Sequence, residues 1–294
     1  MNKKSFTLIE LMTVIGIIAI LAGLMLVGYN IFFKEANIGS GMRFDSSIHH
    51  TLGYALAGDW KLDDDAANSV VADSSGNGND GTFYINGVAA NTSGYKVDGA
   101  NGTALDFTET DGDDYITINS SNEIIDLSSH DGYTVSIWVK FEGGTNAQYV
   151  AMAQDGGHDW RIIRDNTTSD WQYIWSDSTG SNELNSTETV TADEWYYLVA
   201  VNDGAGNSYF YVNGDQQTDA EVGNGTYDNT SFTGQIGAYS STHSNAFNGA
   251  LDQVRVYSEV LSTERIKQNY YAGLEKLHEK GLLGSDDKKE VSSN

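Results

Sequence analysis

Hydrophobic and polar positions fall into three textures along the chain. From Leu11 to Phe33 the residues read "LMTVIGIIAILAGLMLVGYNIFF", 23 positions without a charge. In a helix, at about 1.5 Å per residue, such a run reaches roughly 34 Å and spans a bilayer. Lys3 and Lys4 precede it and favour a cytoplasmic N-terminal side, which puts the remainder outside. Helical spacing continues imperfectly through Ile38, Met42, Ile48, Leu52 and Leu56, so the helix is predicted to run on to residue 57. Gly39 and Gly41 weaken that second half. Gly16, Gly23 and Gly28 serve either local bending or close packing of a neighbouring helix.

After Gly58, clusters of Gly, Asn, Asp, Ser and Thr recur between short runs rich in Val, Ile, Tyr and Trp. This texture predicts an antiparallel sandwich or jelly roll. The predicted strands are 59–62, 104–107, 115–118, 133–141, 149–154, 160–164, 171–175, 195–202, 208–212, 232–236 and 249–257. In "YTVSIWVKF" the alternation places Tyr133, Val135, Ile137, Val139 and Phe141 on one face. Asn213-Gly214 is a hairpin signal. Towards the end, Ser262 followed by Glu264 and Ile266 predicts a capped helix from 262 to 272. Gly273 is expected to break it, "LEKLHEKGLL" to form a second short piece, and the polar last residues to be disordered.

Charge sharpens this division. Lys plus Arg is 16 and Asp plus Glu is 41, a formal net charge of −25. Between Asp59 and Asp252 there are 31 acidic and 5 basic residues, so a nucleic-acid surface is excluded for the head. Zero cysteines exclude disulfides, thiolate metal sites and cysteine nucleophiles. Zero prolines leave the tight turns almost entirely to the 32 Gly and leave the long helix without a proline kink.

Chemistry at the N-terminus centres on Glu10, one step before the apolar run, where a lone carboxylate is costly unless paired. The apolar stretch is too long for a secretory signal peptide, and no A-x-A site follows. "KKSFTLIELMTVIGIIAILAG" resembles the class III leader of type IV pilins and pseudopilins. The resemblance implies cleavage by a prepilin peptidase between Ser5 and Phe6, methylation of the new Phe6 amine, and an assembly role for Glu10. Ser5 stands where the family usually has Gly. In a bundle of such helices a neighbour's terminal amine meets the Glu10 carboxylate, so assembly supplies the partner a buried charge requires. The implied partners are identical or related pilin subunits, after a first residence in the inner membrane.

"ADSSGNGNDGTF", "YTVSIWVKF", "WYYLVAVNDGAGNSYFYVNGDQ" and "FNGALDQVRVYSEVLSTERIKQNYYAG" together resemble the laminin G-like, concanavalin A-like jelly-roll domain, over about residues 58–273. The resemblance implies a shallow concave face used for glycan or protein adhesion. It also implies a structural Ca²⁺ held by Asp73, Asn77, Asn79 and Asp252, whose oxygen donors suit that ion. The alternative for "DSSGNGND" is a metal-free turn. Asp63, Asp64 and Asp65 read as a solvated loop. His158, Trp160, Arg161, Trp171, Tyr173 and Trp175 are either a sugar-stacking platform or sandwich core, with Tyr239 and His243 as rim candidates. A glycosidase would need two flanking carboxylates. No strand carries an E-x-D-x-E pattern, and H-E-x-x-H and G-x-S-x-G are missing, so no catalytic residues are expected.

The resulting expectation is an α plus all-β chain: a leader (1–5), a pilin-like helix (6–57, spanning the membrane at 11–33), a sandwich (58–273) and a helical, then disordered tail (274–294). Its expected function is a type IV pilin-like subunit of a cell-surface filament displaying a lectin-like adhesive head. The alternatives are a pseudopilin of a type II secretion or DNA-uptake machine and a membrane-anchored lectin-like adhesin that never polymerises.

Overall fold

The computed structural model describes residues 56–107, 114–118, 132–155, 158–177, 180–217, 221–222, 233–239 and 245–283, together with Met12 and Ile15. Met12 and Ile15 are helical and exposed. The remainder of the predicted stem up to Ala55, with Ser5, Phe6 and Glu10, lies outside the described residues, and its last two residues, Leu56 and Ala57, are extended in a strand that pairs in a sheet rather than continue a helix. Among the described residues no helix is long and apolar enough to cross a membrane.

Among the described residues the head is a two-sheet antiparallel sandwich with one α-helix and a short 3-10 turn at Thr92–Gly94. Its strands, in chain order, are β1 (Leu56–Trp60), β2 (Val70–Val71), β3 (Gly81–Ile85), β4 (Val88–Ala89), β5 (Lys96–Asp98), β6 (Thr103–Phe107), β7 (Tyr115–Ile118), β8 (Tyr133–Phe141) and β9 (Gln148–Asp155). They continue with β10 (His158–Arg164), β11 (Trp171–Asp177), β12 (Gly180–Asn185), β13 (Trp195–Asn202), β14 (Asn207–Val212), β15 (Asp215–Gln216), β16 (Glu221–Val222), β17 (Thr233–Ile236) and β18 (Gly249–Tyr257). The helix α1 spans Thr263–Glu279. The first sheet runs β15-β14-β13-β8-β18-β6-β5, with β1 also on β18 and β16 on β14. The second runs β12-β11-β10-β9-β17-β7-β3-β2, with β4 on β3.

The predicted inward face of β8 holds: Tyr133, Val135, Ile137, Val139 and Phe141 all join the core between the sheets. Across the second sheet one core row is read from the register: Trp175 opposite Trp160, Trp160 opposite Ala153, Ala153 opposite Gly234, and Gly234 opposite Ile118. Small residues beside the indoles let large rings interdigitate without overlap. The buried hydroxyls of Tyr133 and Tyr173 share one hydrogen bond across the core at 2.7 Å. Asn213 and Gly214 both have positive φ, 53° and 82°, as a two-residue hairpin turn demands, and they join β14 to β15. A buried ion pair, Arg255 Nε to Asp59 Oδ1 at 3.1 Å, ties β1 to β18.

The first sheet is buried on both faces because α1 covers its outer side. Ile266, Tyr270, Leu274 and Leu277, spaced by four, four and three, pack with Trp138, Trp195, Tyr197 and Tyr257. Ser262 caps the helix by accepting the Arg265 amide, and Lys276 and His278 sit in its last turn, where cations suit the helix dipole. Gly273 does not break it: α1 is continuous through that position to Glu279. The residue is small because the Trp138 indole lies against it, and a Cβ there would overlap the ring. Trp138 also stacks on Tyr270, with centroids 5.9 Å apart.

Gly273→Ala is therefore expected to destabilise the head by about 1–3 kcal/mol through overpacking, outweighing the ~1 kcal/mol that alanine normally gains in a helix interior. Urea unfolding followed by tryptophan fluorescence checks this; a variant as stable as the parent would mean that the indole does not sit there.

Candidate functional site

Alternation sorts the sequence's ligand candidates onto two faces. Trp160, Trp171, Tyr173 and Trp175 point into the sandwich and are no more than 3% exposed. They cannot be a sugar platform, because each ring is enclosed by the opposite sheet. Arg161, between the inward Trp160 and Ile162, faces away from the core and is half-buried. Its row crosses the second sheet: Thr82, Thr117, Gln235, position 152, Arg161, Ile174 and Glu183 are successive register partners. Beside it Tyr149, opposite Ile163, makes an edge contact with Tyr239, centroids 5.1 Å apart. With these two phenol rings beside it, the row offers the Arg161 guanidinium, threonine hydroxyls and the Glu183 carboxylate, groups that can engage the polar atoms of a ligand. Gln235 is buried, and its Oε1 has no partner among the described residues. His158 opens β10, but its side chain, like all of His243, lies outside those described. The sequence reading missed Tyr149 and Gln235; the signal for them was the inward tryptophan run, which assigns its neighbours to the outer face.

The residues expected to hold calcium do not form one such site. Asp73 is a hydrogen-bond hub. Its Oδ1 accepts the amides of Asp59 (3.0 Å) and Ser75 (2.9 Å), and its Oδ2 accepts the Ser75 hydroxyl (2.8 Å) and the Asn79 amide (3.0 Å). Asn77 and Asn79 turn side-chain N–H groups to the Leu56 and Ala57 carbonyls, and the Asn79 carbonyl accepts the Trp60 indole N–H. With two donors on Oδ1 and a third on Oδ2 from the Asn79 side chain at 3.4 Å, Asp73 has no lone pair free for a metal ion, so the residues present do not fit Ca²⁺ here. Burial pushes the Asp73 carboxyl up, but these donors outweigh it and hold it below its ordinary value of 3.8. The turn staples β1 to the segment before β3.

Asp252 engages a different loop. It is wholly buried, and its Oδ2 accepts the Asn101 amide at 2.8 Å. Burial holds its carboxyl well above the ordinary 3.8; the charge of Asp63 acts the same way, against the Asn101 amide, Arg255 and Lys280.

Two family models match the chain. Residues 110–267, more than half of its length, match the laminin G-like model of the concanavalin A-like lectin/glucanases superfamily. The chain belongs to this superfamily. Residues 1–26 match the prokaryotic N-terminal methylation motif, so the pilin-type leader is present as well. No curated protein matches the sequence. Among solved structures, domain 4 of AbnA, a GH43 extracellular arabinanase from Geobacillus stearothermophilus, seen with arabinotriose, is 19% identical. It aligns with a TM-score of 0.59 over 74% of this chain and 98% of that domain. The binding domain of Paraclostridial Mosquitocidal Protein 1 is 17% identical, with a TM-score of 0.57 over 75% of this chain and 52% of that one. The receptor binding domain of botulinum neurotoxin mosaic serotype C/D is 16% identical, with a TM-score of 0.54 over 76% and 52%. The chain thus spans about half the length of these toxin domains. At such identities the likeness establishes the sandwich fold alone. A lectin-like fold and a pilin leader motif are non-enzymatic modules, although the superfamily's name also covers glucanases.

Removing the hub tests the turn. Asp73→Ala leaves three backbone N–H groups without their acceptor and is expected to cost about 2–3 kcal/mol in urea unfolding at neutral pH. A group whose folded value is depressed contributes stability above its unfolded value and loses it as pH falls through the folded one. The parent should therefore weaken below about pH 4, and the variant should lack that share of the acid dependence. Equal stability of the two proteins at neutral pH would remove the hub from the account.

Proposed function

We propose that this chain is a type IV pilin-like subunit of a cell-surface filament whose lectin-like head binds glycans through the outward face of the second sheet. The observation that carries the reading is the union on one chain of an N-terminal methylation motif at residues 1–26 and a concanavalin A-like sandwich. Prepilin peptidase cuts between Ser5 and Phe6. The apolar stem first holds the subunit in the inner membrane and then packs with identical or related stems. In that bundle Glu10 takes a neighbouring Phe6 amine as its counter-charge in a low-dielectric setting. The strongly acidic heads repel one another, so fibre contacts rest on the stems and the heads remain free outside.

Carbohydrate as the ligand class is supported by the arabinanase domain, seen with arabinotriose. Within this chain it is supported by the half-buried Arg161, Tyr149 and Tyr239 on one face. The ligand lies across the Arg161 row, with the guanidinium donating to hydroxyls or a carboxylate and the tyrosine rings bordering it.

Fibres sheared from the native cell should contain the subunit with a methylated Phe6 at its N-terminus by mass spectrometry. Glu10→Ala should leave the head folded but deplete the subunit from sheared fibres. Arg161→Ala should enter fibres normally and lose about tenfold or more in glycan-array or cell-surface binding, as expected when a charged hydrogen bond is lost. A native subunit that keeps Lys3 and Lys4 and never enters fibres refutes the filament; unchanged retention by Arg161→Ala refutes the assigned face.

A further inference from the structure

The loop between β5 and β6, residues 99–102, is held by donors on one side and presents acceptors on the other. Asp252 Oδ2 takes the Asn101 amide at 2.8 Å, and Asp63 Oδ1 takes the Thr103 amide at 2.6 Å and its hydroxyl at 3.2 Å. The carbonyls of Gly99 and Gly102 converge instead on a single cation. Lys280 Nζ donates to the Gly99 oxygen at 2.8 Å and also to the Gly102 oxygen. One helical turn earlier, Lys276 Nζ donates to Asn101 Oδ1. Lys280 caps α1 in a helical conformation, so the spacing of four puts it on the same edge as Lys276. Asp252 Oδ1 has no partner among the described residues although the side chain is fully buried. Two converging carbonyls, a second carboxylate and an unpaired buried carboxylate oxygen form an all-oxygen donor set, which suits a hard cation.

We infer that this loop is a cation site whose resident cation is the Lys280 ammonium, supplied by the C-terminal helix in place of a metal ion. A lysine placed merely to suit the helix dipole would turn to the last carbonyls of its own helix. Lys280 reaches carbonyls 178 and 181 positions away in the chain. It thereby pins the end of α1 to the β5–β6 loop without drawing on external calcium. With Lys280 in place the two carbonyls are occupied. With it removed, they, Asp63 Oδ2 and the unpartnered Asp252 Oδ1 are the oxygens that can take a divalent ion. The inference does not depend on the adhesive role.

The test uses the full chain in detergent, melted with EDTA and separately with millimolar CaCl2, and titrated with CaCl2 by calorimetry. The parent should melt at the same temperature in both conditions and take up no calcium. Lys280→Ala should melt about 2–4 °C lower in EDTA. It should recover most of that loss in calcium, with one ion bound per chain. Asp252→Asn added to that variant should abolish the recovery. Lys280→Arg, which keeps a cation, should behave as the parent. A parent that melts lower in EDTA overturns the inference, because the site would then hold a metal. A Lys280→Ala protein that responds to calcium no more than the parent overturns it as well.

Discussion

All six tryptophans of the chain are buried to within 3% exposure, and the head is organised around where they go. Trp60, Trp160, Trp171 and Trp175 fill the space between the sheets, whereas Trp138 and Trp195 fill the layer between the first sheet and α1. Rings of this size pack only beside small neighbours, here Ala153 and Gly234 in the sandwich and Gly273 in the helix. The aromatic content of the sequence is thus committed to holding three layers together. A binding surface has to be made from the residues that alternate with the indoles.

That constraint separates the head's polar groups by task. Buried ones close the fold: Asp73 gathers the donors of its turn, Asp59 pairs with Arg255 between the first and last strands, and Asp252 holds the β5–β6 loop. Outward ones, the Arg161 row with Tyr149 and Tyr239, alternate with the inward rings and lie on the other face of the second sheet. The large acidic excess lies mostly outside both groups and sets the solubility and mutual repulsion of the heads.

Much of the architecture was legible because period-two alternation and turn chemistry are local signals. The strands 115–118, 133–141, 195–202 and 249–257 have the bounds expected from the sequence, and Asn213-Gly214 forms the expected hairpin. Short strands such as Val70–Val71, Val88–Ala89 and Lys96–Asp98 were missed, since two or three residues carry no periodicity and exist only because a longer neighbour pairs with them. Gly273 misled for a related reason. Its helix penalty is local and visible, but the indole that requires a small residue there comes from a strand 135 positions earlier. For calcium, composition offered Asp and Asn oxygens, and only the folded turn shows that the Asp73 oxygens already accept backbone and hydroxyl donors. For the aromatic run, sequence left both the core and the surface open, and burial decides between them.

The most direct measurement of this account is iodide quenching of tryptophan fluorescence in the folded full chain, with and without a saturating glycan mixture. Six enclosed indoles require near-zero quenching in both conditions, and acrylamide, which can penetrate, should quench only weakly. A fraction of the emission that iodide reaches, and that glycan then shields, would contradict it: a tryptophan would stand at the binding surface, and the division between inward rings and an outward Arg161 face would be lost.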